Sequence, residues 1–318
     1  MKELLIKLLR RRRQLPKRPA FSEYGTTEIA SQLRAVFKRS YNVEQLKTVA
    51  ADEFERYIRS LPGTRDVESE GFTEVAAAMQ RDFTIQFEWG HDHDFEKFKI
   101  SGKMGERHIN IIAAFLTDYG LAMTDFAGKH ILDIGCWTGG TSLLLAALGA
   151  KVHAIEEVRK YADCVDYLLR AFAVPGVTVE RLSLFQLDPH VFYDRFDFVF
   201  YSGVLYHVTD PVLSLRIVFN CLKNGGRCLL ETFGADGLSS YCEYQGAYET
   251  YKRDKRGGPR CGWNWFIPSL EATRRMMIDV GFEVPEISLH DGARMLAIGL
   301  RRKYADMLRA GLSNLLVR

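Results

Sequence analysis

The sequence predicts a doubly wound α/β fold, in which a mostly parallel sheet carries helices on both faces. Residues 130–134 and 151–155 are short apolar runs with the composition of strands buried on both sides. Between them lie a glycine turn and residues 141–148, a run without a helix breaker before Gly149. Strand, turn, helix and strand in this order are typical of a βαβ unit, the crossover that parallel strands require.

Composition indicates a globular protein and leaves its partners open. The chain has 318 residues, 47% of them hydrophobic and 9 of them proline, which fits one large domain or one domain with an extension. The net charge of +3 favours no class of partner. Its six cysteines show no C-x-x-C pair and no zinc spacing, so we expect reduced thiols and a cytoplasmic protein. No apolar run reaches the roughly 18 residues of a membrane span.

The turn after the first strand favours a ligand other than a dinucleotide. It reads D-I-G-C-W-T-G-G, with Asp133 ahead of Gly135 and with Cys136 and Gly139 inside the turn. Because an acid at this place repels a pyrophosphate, a positively charged ligand suits the turn better. The second strand ends on Glu156, where a carboxylate can accept hydrogen bonds from two ribose hydroxyls.

This stretch, residues 130–156, closely resembles motif I of class I S-adenosylmethionine (SAM) methyltransferases. The resemblance implies a Rossmann-like methyltransferase fold with SAM as the cofactor and Glu156 on its ribose; another Rossmann-type nucleotide site is the alternative. Residues 183–187 correspond to the loop that contacts adenine in that family. Their nearest acid is Asp188, so we expect backbone amides and the ring of Phe185 to contact the adenine.

The candidate catalytic residues follow the fourth predicted strand, residues 197–201. Ligands bind at the carboxyl edge of a doubly wound sheet, so we expect Ser202 beside the cofactor and Tyr206 and His207 near the reacting methyl group. A cap on the helix that starts near Pro211 is the alternative role for His207. The methyl group would move by in-line displacement, with Tyr206, His207 and Glu231 as unranked candidates for a base and with no metal.

Three further sequence runs indicate a smaller family within these methyltransferases. GVLYH at 203–207, LLETF at 229–233 and WFIPS at 265–269 occur together, and the trio is similar to the bacterial tRNA wobble-uridine methyl- and carboxymethyltransferases. The similarity covers roughly residues 95–302. It implies methyl transfer to tRNA; the alternative acceptor is a small metabolite, glycan or lipid precursor, because relatives of this type act on varied molecules.

The carboxymethyl enzymes hold a carboxylated SAM with basic and tyrosyl side chains, to which Arg294 and Tyr206 correspond in this resemblance. Phe98 and Lys103 match a tryptophan and a lysine of the family with the same spacing. A further upstream lysine has no counterpart, since the nearest basic residue, Arg81, is out of register. A carboxylate would then be incompletely compensated. We therefore expect ordinary SAM rather than carboxylated SAM.

The predicted methyltransferase domain spans residues 82–302, between a helical extension at 1–81 and a C-terminal helix at 303–318. We expect helices over 26–39, 42–60 and 71–81 that pack on the catalytic domain or contribute to a homo-oligomer. Residues 1–20 carry eight basic side chains. They suit an amphipathic helix on an anionic membrane surface or on RNA phosphates, with a plain solvated or docked helix as the alternative.

Two segments are expected to shape the acceptor side. Residues 82–104 contain His91-Asp92-His93-Asp94, which lacks a third distant ligand with metal-binding spacing, so we predict a polar lid or loop there. The insertion at 242–266 interleaves basic and aromatic residues, which suits a phosphate backbone and stacked bases. A solvated charge run flanking core aromatics is its alternative. The remaining prediction is a helix that ends at 224–226, followed by a strand over 227–233.

Overall fold

The computed structural model describes residues 18–38, 41–66, 85–235, 239–246, 264–290 and 293–302. The helices are α1 Phe21–Tyr24, α2 Glu28–Lys38, α3 Ala51–Ser60, α4 Arg107–Asp118, α5 Gly140–Ala147, α6 Arg159–Phe172, α7 Pro189–Phe192, α8 Pro211–Cys221 and α9 Leu270–Asp279. The strands are β1 Arg65–Asp66, β2 Ile85–Gln86, β3 His93–Asp94, β4 Lys99–Ile100, β5 His130–Ile134, β6 Lys151–Glu156, β7 Val177–Arg181, β8 Phe196–Ser202, β9 Leu222–Phe233, β10 Cys242–Tyr244, β11 Phe266–Pro268, β12 Phe282–His290 and β13 Arg294–Arg301.

A seven-stranded sheet with the order β12-β13-β9-β8-β5-β6-β7 forms the centre of the fold. Strand β5 pairs in parallel with both β6 and β8, and β7 and β9 extend the parallel part on either side. Strand β13 lies antiparallel between β9 and β12. The predicted mostly parallel sheet with one C-terminal antiparallel hairpin is confirmed. Because the chain leaves β5 first toward β6 and later returns to its other side as β8, the edge beside β5 is the ligand-binding crevice of such a sheet.

Helices cover both faces of the sheet and bury two separate cores. Successive strand residues point to opposite faces, so Ile131 and Phe200 enter one core while Leu132 and Tyr201 enter the other. The first core also receives α2 to α6, and the second receives α8 and α9. Burial on both faces explains why these strands are continuous apolar runs in the sequence.

The predicted single helix over 42–60 is wrong. Asn42 caps only a 3-10 turn, Val43–Gln45, by accepting a hydrogen bond from the N–H of Glu44 at 2.7 Å, and α3 begins at Ala51. The N–H of Lys47 donates instead to the carbonyl of Ala171 in α6 at 2.8 Å. A tertiary hydrogen bond thus satisfies backbone that local propensity assigns to a helix. The prediction over 26–39 holds as α2, and the one over 71–81 lies outside the described residues.

The predicted helix stop at 224–226 is also wrong. Helix α8 ends at Cys221, and β9 continues from Leu222 through both glycines. The register with β8 passes from the pair Phe196–Leu222 to the pair Phe198–Arg227, which accommodates the extra residues as a bulge. A glycine pair inside a strand therefore marks a bulge here rather than a helix terminus.

The described part of the N-terminal extension packs on the catalytic domain. The ring of Phe21 stacks on His290 with centroids 5.0 Å apart, and the carbonyl of Pro19 lies 3.0 Å from Nδ1 of His290. The hydroxyl of Tyr24 donates to Asp118 in α4 at 2.5 Å. Within the ranges that the structure describes, no helix has the length and apolar character needed to cross a membrane.

Candidate active site

The glycine turn between β5 and α5 brings backbone to the carboxyl edge of the sheet. Gly135 has a φ of +71° and Gly139 one of +80°, angles that favour glycine because a Cβ is strained there. A Cβ at Gly135 would also lie 2.7 Å from the Cγ2 atom of Val204. The turn therefore requires glycine at both positions, because Val204 and Val165 take up the space that a Cβ would need.

Glu156 ends β6 beside this turn, and its carboxylate is bound to the backbone of the turn. Oε2 accepts a hydrogen bond from the N–H of Trp137 at 2.8 Å, and Oε1 accepts one from the N–H of Val158 at 3.0 Å. The side chain is 7% exposed, and burial raises its pKa, although the backbone donors oppose that shift. Each oxygen keeps a lone pair, so the carboxylate is placed to accept hydroxyl groups at the sheet edge.

Asp133, near the end of β5, and Cys136, within the turn, are both buried. The hydroxyl of Ser142 donates to Oδ2 of Asp133 at 2.5 Å. Burial, to which the charge of Glu156 adds, raises the pKa of Asp133 to about 7. Burial also raises the pKa of the Cys136 thiol. Asp133 therefore ties β5 to the first turn of α5.

The loop predicted to contact adenine forms a 3-10 turn, Leu184–Gln186. The hydroxyl of Ser183 accepts from the N–H of Phe185 at 3.4 Å and donates to Glu157 at 3.2 Å. The ring of Phe185 is 37% exposed, which is high for a large apolar side chain. Asp188 caps α7 by accepting from the N–H of His190 at 2.9 Å. The loop thus offers an apolar ring, while its nearest acid is engaged in capping.

Glu231 is the charged centre of the other half of the site. It lies near the end of β9 and is 1% exposed, yet its Oε1 accepts from Arg107 at 2.9 Å and from Arg294 at 3.2 Å. Its Oε2 accepts from the hydroxyl of Ser202 at 3.1 Å. Two guanidinium groups therefore share one buried carboxylate, which leaves this end of the crevice with an excess positive charge.

Tyr206 and His207 lie in a 3-10 turn just after β8, with their rings 4.1 Å apart. Arg294 donates to the hydroxyl of Tyr206 at 3.3 Å, and its guanidinium carbon lies 5.4 Å from the centre of that ring. Burial raises the pKa of Tyr206, and the charge of Arg294 opposes the shift. The N–H of Trp265 donates to the Tyr206 carbonyl at 2.8 Å, which ties the β11 segment to this turn.

Residues 87–105, the lid segment, contact the glycine turn. The hydroxyl oxygen of Thr138 accepts from the N–H groups of Gly90 at 3.1 Å and of His91 at 3.4 Å. A Cβ at Gly90 would lie 2.4 Å from the indole of Trp137, and one at Gly140 would lie 2.7 Å from Nδ1 of His91. The lid segment predicted from the sequence therefore contacts the turn itself, with glycine at both contact points.

Lys103 and Phe98, which match residues of the carboxymethyl enzymes, contact other side chains of this protein. The ammonium group of Lys103 forms an ion pair with Glu88 at 2.9 Å. Phe98 is buried against Phe95 and Phe54, with ring centroids 5.1 and 6.0 Å away. A cofactor contact of Lys103 stays a prediction.

Three histidines lie close together, His91 and His93 of the lid segment and His108 of α4; His93 and His108 are buried and His91 is half-buried. Burial lowers the pKa of His91 to about 4, to which the charge of Arg107 adds, and burial lowers the pKa of His93 to about 3. Burial also lowers the pKa of His108 well below its ordinary value. Nδ1 of His93 hydrogen-bonds the hydroxyl of Tyr41 at 2.5 Å. In the part of the chain that the structure describes, no three His, Cys, Asp or Glu side chains form a group able to hold a metal.

These histidines predict a loss of stability in acid. His91 is neutral when folded down to about pH 4, whereas the unfolded chain binds a proton below about pH 6.5. The free energy of unfolding therefore falls on acidification below about pH 6.5. From His91 alone we expect a loss of about 2 kcal/mol between pH 7.5 and pH 5. We expect urea unfolding at the two pH values to show a smaller loss in His91→Gln than in the wild type. His190→Gln, which alters an exposed histidine, serves as the control; an equal loss in all three proteins would contradict the assignment.

Sequence reasoning missed Arg107 and Thr138. Arg107 belongs to no motif, and the D-I-G-C-W-T-G-G run that contains Thr138 does not indicate its partner. Both act through residues distant in the chain: Arg107 contacts Glu231 across 124 positions, and Thr138 contacts Gly90 across 48. The one signal for Arg107 is a basic residue in the first turn of α4, where the helix dipole disfavours it.

The comparisons with known proteins support the predicted methyltransferase domain. A family model described as a methyltransferase domain matches residues 104–287, more than half of the chain. A tRNA U34 carboxymethyltransferase of Desulfotalea psychrophila is 30% identical over 161 residues, which are 50% of this chain and 47% of the relative. A protein of the same name from Campylobacter hominis is 34% identical over 37% of this chain and 41% of its own length. The chain thus spans about half the length of the curated relatives it matches.

Among solved structures, a SAM-dependent methyltransferase of Mesorhizobium loti matches with a TM-score of 0.44 and 20% identity, over 57% of this chain and 94% of that protein. The family assignment depends on the matched domain model and on the agreement of both curated relatives with the predicted resemblance. The chain belongs to the methyltransferase-domain family.

Proposed function

We propose that this chain transfers a methyl group from SAM to the wobble uridine of a tRNA. The observation that carries the proposal is the buried carboxylate of Glu156 beside the glycine turn, where it accepts hydrogen bonds from the backbone of Trp137 and Val158. SAM fits this place because its ribose offers two hydroxyl donors and its adenine an aromatic face. The free lone pairs of Glu156 and the exposed ring of Phe185 are the matching partners.

Residues of the turn, of β6 and of the 184–186 loop are each proposed to contact one part of the cofactor. Gly135 and Gly139 would let the backbone approach it, Glu156 would hold the ribose, and Phe185 would cover the adenine. SAM, when bound, supplies a methyl group on a positively charged sulfonium, a good leaving group. The protein then has chiefly to align an acceptor with that methyl group, an effect worth up to roughly 7–11 kcal/mol.

Tyr206 is proposed to position the acceptor. Burial raises its pKa, so the phenol stays protonated at neutral pH and acts as a hydrogen-bond donor rather than as a base. Arg294 already donates to its oxygen, which directs the phenolic hydrogen away from the guanidinium. Ser202 and His207 lie at the same edge. Among the described residues, the Glu231 carboxylate accepts from two arginines, which makes it a fixed partner rather than a mobile base.

Ordinary SAM is proposed over carboxylated SAM. Arg294, which matches the arginine of the carboxymethyl enzymes, is bound to Glu231 and Tyr206. Lys103 pairs with Glu88. A carboxylate on the cofactor would have to compete with both existing partners of Arg294, and a desolvated carboxylate without full compensation is costly.

The tRNA acceptor is supported by two facts. The curated relatives carry the name tRNA U34 carboxymethyltransferase. The β10–β11 ribbon presents the 63% exposed ring of Tyr244. The N–H of Trp265 joins this ribbon to the 205–207 turn that contains Tyr206. Exposed aromatic rings next to a modification site suit stacking of an unpaired base. Residues 247–263 of the insertion predicted at 242–266, which contain its basic side chains, lie outside the described residues.

The test is a transfer assay with SAM that carries a labelled methyl group. We expect label in total tRNA and, after digestion to nucleosides, in a modified uridine from the wobble position. Transfer should weaken steeply with salt because phosphate contacts release counterions. A parallel reaction with carboxylated SAM should give less carboxymethylated uridine than the reaction with SAM gives methylated uridine. Label that appears in a cell metabolite extract and not in tRNA would show that the acceptor is a small molecule and not tRNA. No binding of SAM in calorimetry would contradict the whole proposal.

A further inference from the structure

A cavity of about 380 Å³ lies at the edge of the sheet opposite the glycine turn. Its walls come from the first residues of β5, β6 and β7 and from the segment before β8. The lining residues are His130, Lys151, Val152, His153, Gly176, Val177, Thr178, Val191, Phe192, Arg195 and Phe196. These are amino ends of parallel strands, whereas the turn and Glu156 lie at their carboxyl ends. The six residues of β6 separate the two places by roughly 20 Å.

The floor of this cavity is apolar and fixed. Val152 and Phe192 are each 3% exposed, and Phe196 and Val177 are buried as well. The ring of His153 packs edge-on against Phe192 with centroids 5.0 Å apart. Val191, at the rim, is 47% exposed, an unusual position for a branched apolar side chain. A ligand with an apolar body would cover both the floor and Val191.

The rim of the cavity carries two cations, Lys151 and Arg195, while the acid Glu180, outside the lining, lies 2.9 Å from the ring of His153. No acidic residue lines the cavity. Among the described residues, neither Lys151 nor Arg195 forms an ion pair, while the acids on either side of Arg195 are engaged: Asp194 pairs with Arg301 at 2.7 Å and Asp197 with Lys223 at 3.0 Å. The two rim cations are therefore free to bind an anion.

We infer that this cavity is a second binding site, for a small amphipathic anion: a carboxylate on an aromatic or alkyl body. The carboxylate would lie between Lys151 and Arg195, where a guanidinium can bind it through two N–H donors. The apolar body would lie on Val152, Phe192 and Phe196. The volume is within the range of small-molecule sites, about 300–1,000 Å³. The site is independent of the cofactor and of the acceptor proposed above.

The test uses 4-butylbenzoate as the probe and 4-butylbenzyl alcohol as its neutral isostere. Each is titrated into ¹⁵N-labelled full-length protein saturated with SAM, and amide shifts are followed by NMR. We expect the carboxylate to shift amides of residues 151–153, 177–178 and 191–196. The alcohol should bind about tenfold or more weakly, because it lacks the charge-assisted hydrogen bonds.

The double variant Lys151→Gln, Arg195→Gln should lose about tenfold or more in affinity for the benzoate. Lys129→Gln removes a neighbouring lysine that does not line the cavity and should leave the affinity within about twofold. Unchanged SAM binding shows that each variant is folded. Equal binding of the benzoate and the alcohol to the wild type, or shifts only at other residues, would overturn the inference. If the double variant does not fold, the comparison of the two probes on the wild type decides alone.

Discussion

Glu156→Gln is expected to weaken the binding of SAM by roughly 30- to 100-fold, which corresponds to about 2–3 kcal/mol. Glutamine has the same shape but keeps one acceptor oxygen. Its amide group would meet the N–H of Trp137 or of Val158, both of which donate to the carboxylate in the native chain. The variant would also lose one charged acceptor for the ribose. Isothermal titration with SAM measures the effect directly.

Glu180→Gln is the matched control for this change. Glu180 lies on the neighbouring strand β7 and is exposed, and its carboxylate lies 2.9 Å from His153 rather than from the glycine turn. Its replacement should leave the affinity for SAM within about twofold. Equal affinities of the wild type and Glu156→Gln would remove Glu156 from the cofactor site.

Glu231→Gln is expected to destabilise the protein by about 3 kcal/mol and to lower its melting temperature by roughly 6–12 °C. The change leaves Arg107 and Arg294 without their shared carboxylate at the base of the crevice. The side chains of both arginines are 16–20% exposed and can reorient partly toward water, so the lower end of the range for a broken buried pair applies. Thermal unfolding followed by circular dichroism measures the shift.

A second variant separates loss of charge balance from loss of shape. Combining Glu231→Gln with Arg107→Gln removes one of the two stranded cations, so we expect it to recover part of the lost melting temperature. A double variant less stable than Glu231→Gln alone would show that Arg107 stabilises the fold mainly by other contacts, such as its position 4.8 Å above the ring of Phe21.

The sequence predicts the central βαβ unit well because its signals are local. Residues 130–134 form β5 as expected. The helix predicted over 141–148 is shifted by one residue at each end, and the second strand extends one residue beyond the predicted 155. Where a distant partner decides the structure, the prediction fails. Lys47 uses its N–H on α6 and so interrupts a helix, and the bulge after Leu222 takes up residues that resemble a helix stop.

The site divides in the same way. The turn glycines and Glu156 are recognisable from one short run, so their juxtaposition follows from the topology of the sheet. The pairing of Glu231 with Arg107 joins β9 to α4, and the binding of the lid to Thr138 joins two loops. Neither has a spacing in the chain that a pattern detects. Their charges and hydroxyls are ordinary until the fold brings them together.

Aromatic side chains of the first core join α3 to the catalytic domain. Phe54 of α3 packs against Phe95 of the lid and Phe172 of α6, each with its ring centroid 5.2 Å away. The family model begins at residue 104, so a fragment cut at that boundary would leave Phe172 without either ring and expose apolar surface to water. We therefore expect the cooperative folding unit to extend N-terminal to the matched domain, at least to Phe54 of α3.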